Sequence, residues 1–360
     1  MNNKLYLVLE NGKTFEGVAA GAKGEATGEL VFTTSMAGYN DILTDPSYFG
    51  QIVVHTFPIS GNYGVVSKEF SSDKSFLKAY IVKDICETPS NFKCEGDLIS
   101  YMSKNGIIGL CGIDTRELTK ILRENGTMKA KITSDISDID TIIKELKALN
   151  DKNFVEKLNL SDVKSLKSEK PKFNVVLWDF GAKNSLKAQL VQHGYDVTVV
   201  PYNTSSDDII NLKPDGVIIS NGPGNPEDNA DAIKEIKKIV DSKIPVFGIC
   251  LGHQLLALAL GAKTEKLKYG HRGSNQPTKC LSNGRVYITN QNHGYTVIND
   301  SLPSNATCSF INVNDGTCEG IEYKDIFAFS VQFYPDCCSG PNDSSFLYDK
   351  FDNIMKGEKK

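Results

Sequence analysis

The residue best suited to covalent chemistry is Cys250, in the sequence GICLG at 248–252. An apolar, β-branched run precedes it and a second apolar run follows, so we expect a sharp turn from a strand into a helix. Small flanking residues permit this turn, and the positive end of a helix favours the thiolate, the reactive form of cysteine. The alternative is a buried cysteine at an ordinary turn.

A second turn, SNGPGNPED at 220–228, ends another predicted strand. Gly222 and Gly224 would let backbone amides approach a ligand and form an oxyanion hole, which stabilises a tetrahedral intermediate. Glycine-proline turns are common, so this turn is evidence for an oxyanion hole only in combination with the cysteine turn. Together the two turns favour a nucleophilic cysteine over a buried one.

Both turns need a scaffold that brings the ends of strands together. In the second half of the chain, the apolar runs NVVLWDF, DVTVVPY, DGVIISNG and IPVFGIC alternate with helical sequences. This alternation indicates a mostly parallel sheet with helices on both faces. Ligands bind such sheets beyond the carboxyl ends of the strands, which is where both turns fall.

The predicted fold class is α/β at 173–360, with a mostly parallel sheet flanked by helices, plus a mixed α+β domain at 1–150. Strand-like runs in the first domain are broken by glycine and proline turns. One helix is clear there, because Asp114 can cap its start and Gly126 can end it. The lysine- and serine-rich stretch 151–172 predicts a linker between the domains.

The overall composition excludes several functional classes. The 360 residues carry a formal net charge of -4, so we expect no basic surface for nucleic acid or for an anionic membrane. Nine cysteines, an odd number without a CxxC pair, argue against a disulfide framework and a zinc site. We therefore expect a cytoplasmic protein without a metal site, acting on a small molecule or a protein partner.

Several motifs resemble those of a known family. The sequences VVLWDFGAK, DGVIISNGPGNP, FGICLGHQLLALALGA and ITNQNHGY are similar to class I glutamine amidotransferase domains, the Cys-His-Glu type. The sequences FTTSMAGYNDILTDPSYFGQIVVHTFPISGNYGV, GIDTRELTKILRENG and YGHRGSNQP resemble the small, glutamine-hydrolysing subunit of carbamoyl phosphate synthetase. The likeness runs through nearly the whole chain in the same order.

This resemblance implies hydrolysis of L-glutamine through a cysteinyl thioester and delivery of ammonia, by an internal tunnel, to a large subunit in a heterodimer. That partner would use ATP and a divalent metal to make carbamoyl phosphate for pyrimidine and arginine synthesis, and no cofactor is expected in this chain. Matched motif by motif, Cys250 is the nucleophile. The implied substrate-binding residues are Ser35, Gly222, Gly224, Leu251, Gln254, Asn292, Gly294 and Tyr295.

The other two triad positions depart from the family pattern. In the sequence SVQFYPDCCSGP, Tyr334 stands where the resemblance implies a histidine, and Asp336 where it implies a glutamate. The histidine would take the thiol proton and return a proton to the departing ammonia. A tyrosine, with a usual pKa of about 10, is neutral near pH 7 and a poor base, although it can donate a hydrogen bond. The sequence therefore predicts glutamine binding without efficient hydrolysis.

Three interpretations of this replacement stay open. In the first, the chain is a glutaminase subunit that is slow or is rescued by another base, for which His293 in QNHGY is the best placed. In the second, it is a scaffold that binds glutamine and docks on a synthetase using free ammonia. In the third, Tyr334 and Asp336 mark a variant copy of a chain that naturally carries the family's histidine and glutamate.

Overall fold

The structure is a computed structural model that divides into two compact units, Met1–Asp151 and Lys152–Lys360. Among the residues it describes, no helix is both long and apolar enough to cross a membrane. Those residues are 4–160, 163–335, 340–341 and 343–357.

The first unit is built around a closed barrel. Its strands are β1 (Lys4–Leu9), β2 (Thr14–Gly21), β3 (Ala26–Thr33), β4 (Gln51–His55), β5 (Ile59–Ser60), β6 (Ala79–Ile81), β7 (Asp84–Ile85), β8 (Ile108–Cys111) and β9 (Met128–Thr133). Its helices are α1 (Tyr39–Thr44), α2 (Leu98–Lys104), α3 (Thr115–Asn125) and α4 (Ile139–Ala148). The barrel order is β1-β2-β8-β6-β4-β3-β9, with both parallel and antiparallel pairs. The mixed α+β fold expected of this part is confirmed.

Helix α3 shows how local sequence determines local structure in this unit. The Asp114 carboxylate accepts a hydrogen bond from the backbone N–H of Glu117 at 2.9 Å, which caps the first turn. Leu118 and Leu122 are buried, so the apolar face points into the core. Gly126 ends the helix with φ 93°, a conformation that favours glycine. Both predicted ends of the helix are confirmed.

The second unit contains a large sheet covered by helices. Its strands are β10 (Lys164–Leu166), β11 (Phe173–Asp179), β12 (Tyr195–Pro201), β13 (Gly216–Ile219), β14 (Val246–Ile249), β15 (Thr264–Cys280), β16 (Val286–Val297), β17 (Ala306–Asn312), β18 (Cys318–Tyr323) and β19 (Ala328–Val331). Its helices are α5 (Phe154–Lys157), α6 (Asn184–His193), α7 (Ser206–Asn211), α8 (Ala230–Asp241), α9 (Leu251–Ala259) and α10 (Phe346–Met355).

The strand order of this sheet is β10-β12-β11-β13-β14-β19-β18-β17-β15-β16. The central strands, from β12 to β19, are parallel, which confirms the predicted α/β fold. Beyond β19 the sheet continues with antiparallel strands as far as β16. This antiparallel extension carries the QNHGY motif, so two kinds of sheet contribute to the candidate site.

Alternating residues of β11 show that both faces of the sheet are covered. Val176 and Trp178 pack into a core with α8 and α9. Val175 and Leu177 pack into a second core with α6 and α10. Because neighbouring side chains of a strand point to opposite faces, these two cores lie on opposite sides of the sheet. Burial on both faces explains why the strand sequences are nearly continuous apolar runs.

The stretch 151–172 was predicted as a linker. Its described residues after Asp151 belong to the second unit. It contains α5 and β10, and β10 pairs antiparallel with β12. The boundary between the units falls after Asp151. The polar sequence reflects an edge position: two of the three β10 residues are exposed, so lysine and serine are tolerated there.

Candidate active site

The candidate site lies where the neighbouring strands β11, β13, β14 and β19 end. Lys183 follows β11, Gly222 follows β13, Cys250 directly follows β14, and Tyr334 follows β19. These strands are parallel and adjacent, so their carboxyl ends meet at one edge of the sheet. This is the edge at which ligands bind in open α/β sheets.

The predicted strand-to-helix turn is present at Cys250. Its backbone adopts φ 54° and ψ −105° between β14 and α9. A Cβ on Gly248 would lie 2.6 Å from the carbonyl oxygen of Gly252, and one on Gly252 would collide with the carbonyl oxygen of Ile219. The Gly252 N–H donates to the Ser220 carbonyl at 3.0 Å, which holds the turn against the end of β13. Glycine is therefore required on both sides of the cysteine.

The Cys250 thiol lies between a main-chain carbonyl and a phenol. Its Sγ donates to the Asn292 carbonyl at 3.6 Å and lies 3.9 Å from the Tyr334 hydroxyl. The Tyr334 hydroxyl donates to the same carbonyl at 3.3 Å. Both side chains are buried. The structure thus brings together Cys250, the predicted nucleophile, and Tyr334, which stands where the resemblance implies a histidine. The Asn292 carbonyl contacts both side chains.

Lys183 is a neighbour of Tyr334 that our sequence analysis missed. Its ammonium nitrogen lies 4.8 Å from the centre of the Tyr334 ring, within the range of a cation–π interaction. Lys183 is almost fully buried, which is rare for a lysine. The signal was available, because Lys183 closes the DFGAK sequence that follows the first central strand.

Gln254 and Tyr295 also meet in the structure. The Gln254 side-chain amide donates to the Tyr295 carbonyl at 2.8 Å and to the Gln332 side-chain oxygen at 2.9 Å. Helix α9 is thereby joined to β16 and to the end of β19. Gln332 is a second residue of this region that our sequence analysis did not single out.

The glycine turn after β13 lies against the start of α9. A Cβ on Gly222 would collide with the Phe180 carbonyl oxygen and lie 2.8 Å from Leu251 Cδ2. Gly224 has φ 91°, and a Cβ there would lie 3.0 Å from the Phe154 ring. Both positions therefore require glycine, because the turn packs closely against its neighbours beside the cysteine turn. A Cβ placed on Gly294 would lie 3.2 Å from a guanidinium nitrogen of Arg272.

The remaining predicted site residues are Ser35 and Asp336. Ser35 belongs to the first unit, where it is buried and its carbonyl accepts a hydrogen bond from His55 Nε2 at 2.7 Å. Burial lowers the pKa of His55 to about 4, so the ring is neutral at pH 7. Asp336 lies outside the described residues.

Neither histidine of the nearby motifs has the properties of a replacement base. His253 contacts the Ser330 hydroxyl at 2.8 Å, and burial lowers its pKa to about 3. His293 Nδ1 faces the Tyr295 carbonyl at 2.8 Å and Nε2 faces the Gln291 side-chain oxygen at 3.1 Å. Burial holds the pKa of His293 well below its usual range. A buried ring with such a pKa is a weak proton acceptor at pH 7.

Two groups of described residues bring metal-binding atoms within 4.8 Å of one another: His271, His293 and Glu319, and His193, Asp349 and Asp352. In the first group, His271 forms an ion pair with Glu319 at 3.3 Å. In the second, Asp352 accepts from His193 at 3.1 Å. These donor atoms thus already take part in ion pairs and hydrogen bonds with one another.

A cysteine at a sharp turn, a glycine turn beside it and a parallel sheet beneath both define a class of enzyme domain. Residues 176–354 match the family model described as class-I glutamine amidotransferase. The second unit is therefore a class I glutamine amidotransferase domain. Residues 7–132 match the model described as carbamoyl-phosphate synthase small chain, CPSase domain.

Relatives extend this similarity to nearly the whole chain. The carbamoyl phosphate synthase small chain of Clostridium perfringens is 47% identical over 348 residues, covering 97% of this chain and 98% of the relative. The chain belongs to the family of carbamoyl phosphate synthase small chains. A pyrimidine-specific small chain from Bacillus subtilis is 45% identical over 361 residues, covering 99% of this chain and 97% of its own.

Among solved structures, a glutamine amidotransferase from Thermotoga maritima is similar to this chain at 18% sequence identity, with a TM-score of 0.39. The similarity covers 52% of this chain and 86% of that one.

Proposed function

We propose that the chain binds L-glutamine beside Cys250, forms a thioester there and supplies ammonia to a large synthetase subunit, with slow hydrolysis. One observation carries the proposal. The Cys250 Sγ lies 3.9 Å from the hydroxyl of Tyr334, a phenol at the position where the family pattern has an imidazole. The nucleophile is thus in place beside a group that is a poor base at pH 7.

The acylation step follows from this geometry. The Cys250 sulfur would attack the side-chain amide carbon of glutamine, forming a carbon–sulfur bond as the carbon–nitrogen bond breaks. The thiol proton must end on the departing nitrogen, so that ammonia leaves. A neutral Tyr334 hydroxyl can donate a proton to that nitrogen, but it cannot take one from the thiol. Acylation would therefore depend on the fraction of Cys250 that is already thiolate.

The second step, hydrolysis of the thioester, also needs a base. Water must lose a proton as it attacks, and the thiol must regain one as it leaves. In the catalytic triads of serine proteases, loss of the base lowers turnover by roughly 10⁴- to 10⁶-fold. We therefore expect both steps to be slow, with the backbone amides near Gly222 and Gly224 still able to stabilise the oxyanion.

The other predicted contacts fit a role in holding the substrate. The Asn292 carbonyl contacts the thiol, and the Gln254 side chain contacts the Tyr295 carbonyl on the same strand as Asn292. A substrate with an amide and a charged amino acid end needs several fixed donors and acceptors, which such groups provide. Ser35, Leu251 and Gly294 stay predicted contacts on the basis of their motifs.

A second candidate function is a glutamine-binding scaffold for a synthetase that runs on free ammonia. The same observation favours it, because a phenol in place of the base does not take the thiol proton, while the binding groups stay intact. In both cases the partner is a large subunit that binds ATP and a divalent metal, and we place both proteins in the cytoplasm.

The test compares ammonia release from L-glutamine by the full chain with its large subunit and by the same complex carrying Tyr334→His with Asp336→Glu. Because a positioned general base contributes about 10²- to 10⁴-fold, we expect the double substitution to raise the rate at least about a hundredfold. Cys250→Ser serves as the control for release that does not involve the thiol. Equal rates for the unaltered and restored complexes would contradict the proposal and place the base elsewhere.

A further inference from the structure

A network of buried polar side chains lies beside the part of β16 that carries Asn292 and Tyr295. At its centre is Glu319 on β18, which is fully buried. One carboxylate oxygen lies 3.3 Å from His271 Nδ1, and the other accepts from the Gln291 side-chain amide at 2.9 Å. Our sequence analysis did not single out Glu319.

The network continues from Glu319 into the candidate site. Gln291 Oε1 lies 3.1 Å from His293 Nε2, and His293 Nδ1 lies 2.8 Å from the Tyr295 carbonyl oxygen. That carbonyl also accepts from Gln254. A continuous series of contacts therefore leads from the Glu319 carboxylate to Gln254 and Tyr295, two of the residues predicted to bind glutamine. Asn292, whose carbonyl faces the Cys250 thiol, is the residue between Gln291 and His293 in the chain.

The main chain alone fixes this segment weakly. The pairing of β15 with β16 changes register between Lys266 and His271 and again between Gly273 and Gln276. Between these two irregularities lie the pairs His271↔His293, Arg272↔Asn292 and Gly273↔Gln291. Register shifts interrupt a ladder and re-aim side chains, so the short ordered stretch between them depends on side-chain contacts.

Charge explains why the network is held in one arrangement. Burial would lower the pKa of His271, but Asp315, at 2.8 Å, and Glu319 outweigh it and raise the pKa to about 9. His271 is therefore an imidazolium at pH 7, between two carboxyl groups. A buried ion pair contributes little net stability, because both charges lose their hydration. A role in fixing geometry is therefore a better explanation of the pair than stability.

We propose that Glu319 is a positioning residue for the glutamine site: together with His271 it fixes Gln291, and through His293 it fixes the course of residues 291–295. The inference rests on the proposed function, because the site that Glu319 supports is the site proposed to bind glutamine. Glu319 itself does not touch the reacting atoms.

A matched control is available in the same unit. Asp352 on α10 is also a buried carboxylate with several partners: it accepts from the Tyr195 hydroxyl at 2.5 Å and from His193 at 3.1 Å. Neither partner belongs to the network of Glu319. Asp352→Asn and Glu319→Gln each replace a buried carboxylate by an amide of the same shape. A merely structural role predicts the same effects for both.

The experiment measures the affinity of the full chain for L-glutamine by isothermal titration calorimetry, for the unaltered protein and both variants. We expect Glu319→Gln to weaken binding at least about tenfold, the change that follows from about 1.4 kcal/mol. Asp352→Asn should leave the affinity within about twofold. Thermal unfolding of each variant checks that it is folded and shows the general cost of removing a buried carboxylate.

A second variant guards against failure of Glu319→Gln to fold. Gln291→Met keeps the His271–Glu319 ion pair but removes the amide that joins Glu319 to His293, so it should weaken glutamine binding as well. If whichever of the two variants is folded binds glutamine as tightly as the unaltered chain, the inference is wrong while the proposed function stands. Failure of the unaltered chain to bind glutamine would overturn both.

Discussion

The backbone of Cys250 is in a conformation that residues with a side chain rarely adopt. Its φ of 54° and ψ of −105° carry a cost of about 1–3 kcal/mol. Hydrogen bonds on both sides keep it in place: the Cys250 N–H donates to the Val331 carbonyl at 2.9 Å, and the Gln254 N–H donates to the Cys250 carbonyl at 3.2 Å. Strain at a single residue of an active site is a common way to present a nucleophile.

This strain predicts the relative stability of two inactive variants. Cys250→Gly relieves the positive φ, whereas Cys250→Ala keeps it. In the upper part of its range of about 1–3 kcal/mol, the relief exceeds two opposing contributions: roughly 0.8 kcal/mol from the buried methyl group of alanine and about 0.4–1 kcal/mol from the extra freedom of glycine in the unfolded chain. We therefore expect the glycine variant to have the larger free energy of unfolding in urea, by about 1 kcal/mol. The alanine variant is the matched control, since both lack the thiol.

A glycine variant that is less stable than the alanine variant would show that the strain at this residue is smaller than the combined contribution of the methyl group and the unfolded chain.

At the scale of elements, the antiparallel extension of the sheet is joined by a charged group. His271 on β15 forms ion pairs with Asp315, after β17, and with Glu319 on β18. The pKa of His271 is raised to about 9 by these two partners despite burial, while His271 holds the pKa of Asp315 at about 2. The proton on His271 therefore stabilises the contact between these strands.

The pH dependence of stability follows from this shift. The pKa of His271 is higher in the folded chain than its usual value of about 6.5, so its contribution is complete below about pH 6.5 and is lost as the pH rises through about 9. We expect the urea midpoint to fall between pH 7 and about 9.5. Asp315 stays ionised throughout this window, whereas burial raises the pKa of Glu319, the other partner of His271. A variant without the imidazole therefore has to assign the fall to His271.

His271→Gln provides the comparison for this measurement. It removes the titrating ring, so the midpoint of this variant should fall less steeply over the same window. Lysine, tyrosine and cysteine side chains elsewhere titrate in both proteins alike and are subtracted by the comparison. Identical slopes for the two proteins would show that His271 does not carry this part of the pH dependence.

Elements defined by neighbouring residues could be predicted from the sequence, and those defined by distant ones could not. Asp114 and Gly126 mark the ends of α3 through contacts within a few residues, so the pattern was sufficient. In the sequence, Glu319 looks like an ordinary acidic residue on the surface of a strand. Its burial depends on a partner that is distant in the chain, His271. The edge strand β10 was missed for the same reason, because its sequence is that of a linker and its pairing with β12 is not local.

The same distinction applies to the candidate site. Cys250 and Gly222 could be predicted because a sharp turn requires particular residues close together in the chain. Lys183 was missed, although it closes the DFGAK sequence, because its contact with Tyr334 joins the ends of two different strands. The sequence shows Tyr334 where the resemblance implies a histidine, and the structure adds the distance of 3.9 Å between its hydroxyl and the Cys250 thiol.

At the scale of the whole molecule, both parts of the chain match their family models, at 7–132 and 176–354. Relatives align with 97% or more of the chain, so the similarity to carbamoyl phosphate synthase small chains runs through both units. The proposed assembly with a large subunit does not require fast hydrolysis of glutamine. The source of ammonia, rather than the assembly, is the property that Tyr334 should change.

This leads to a prediction for the assembled enzyme. We expect carbamoyl phosphate formation to be faster with ammonium chloride than with L-glutamine, by about a hundredfold or more, because only the glutamine route needs the missing base. Tyr334→His with Asp336→Glu should raise the glutamine-supported rate and leave the ammonium-supported rate unchanged. The large subunit alone, supplied with ammonium chloride, is the control for synthesis that does not need this chain. Equal rates from both nitrogen sources in the unaltered complex would mean that the Cys250 site turns over efficiently with a phenol beside the thiol, and that the proton leaves the thiol by another route.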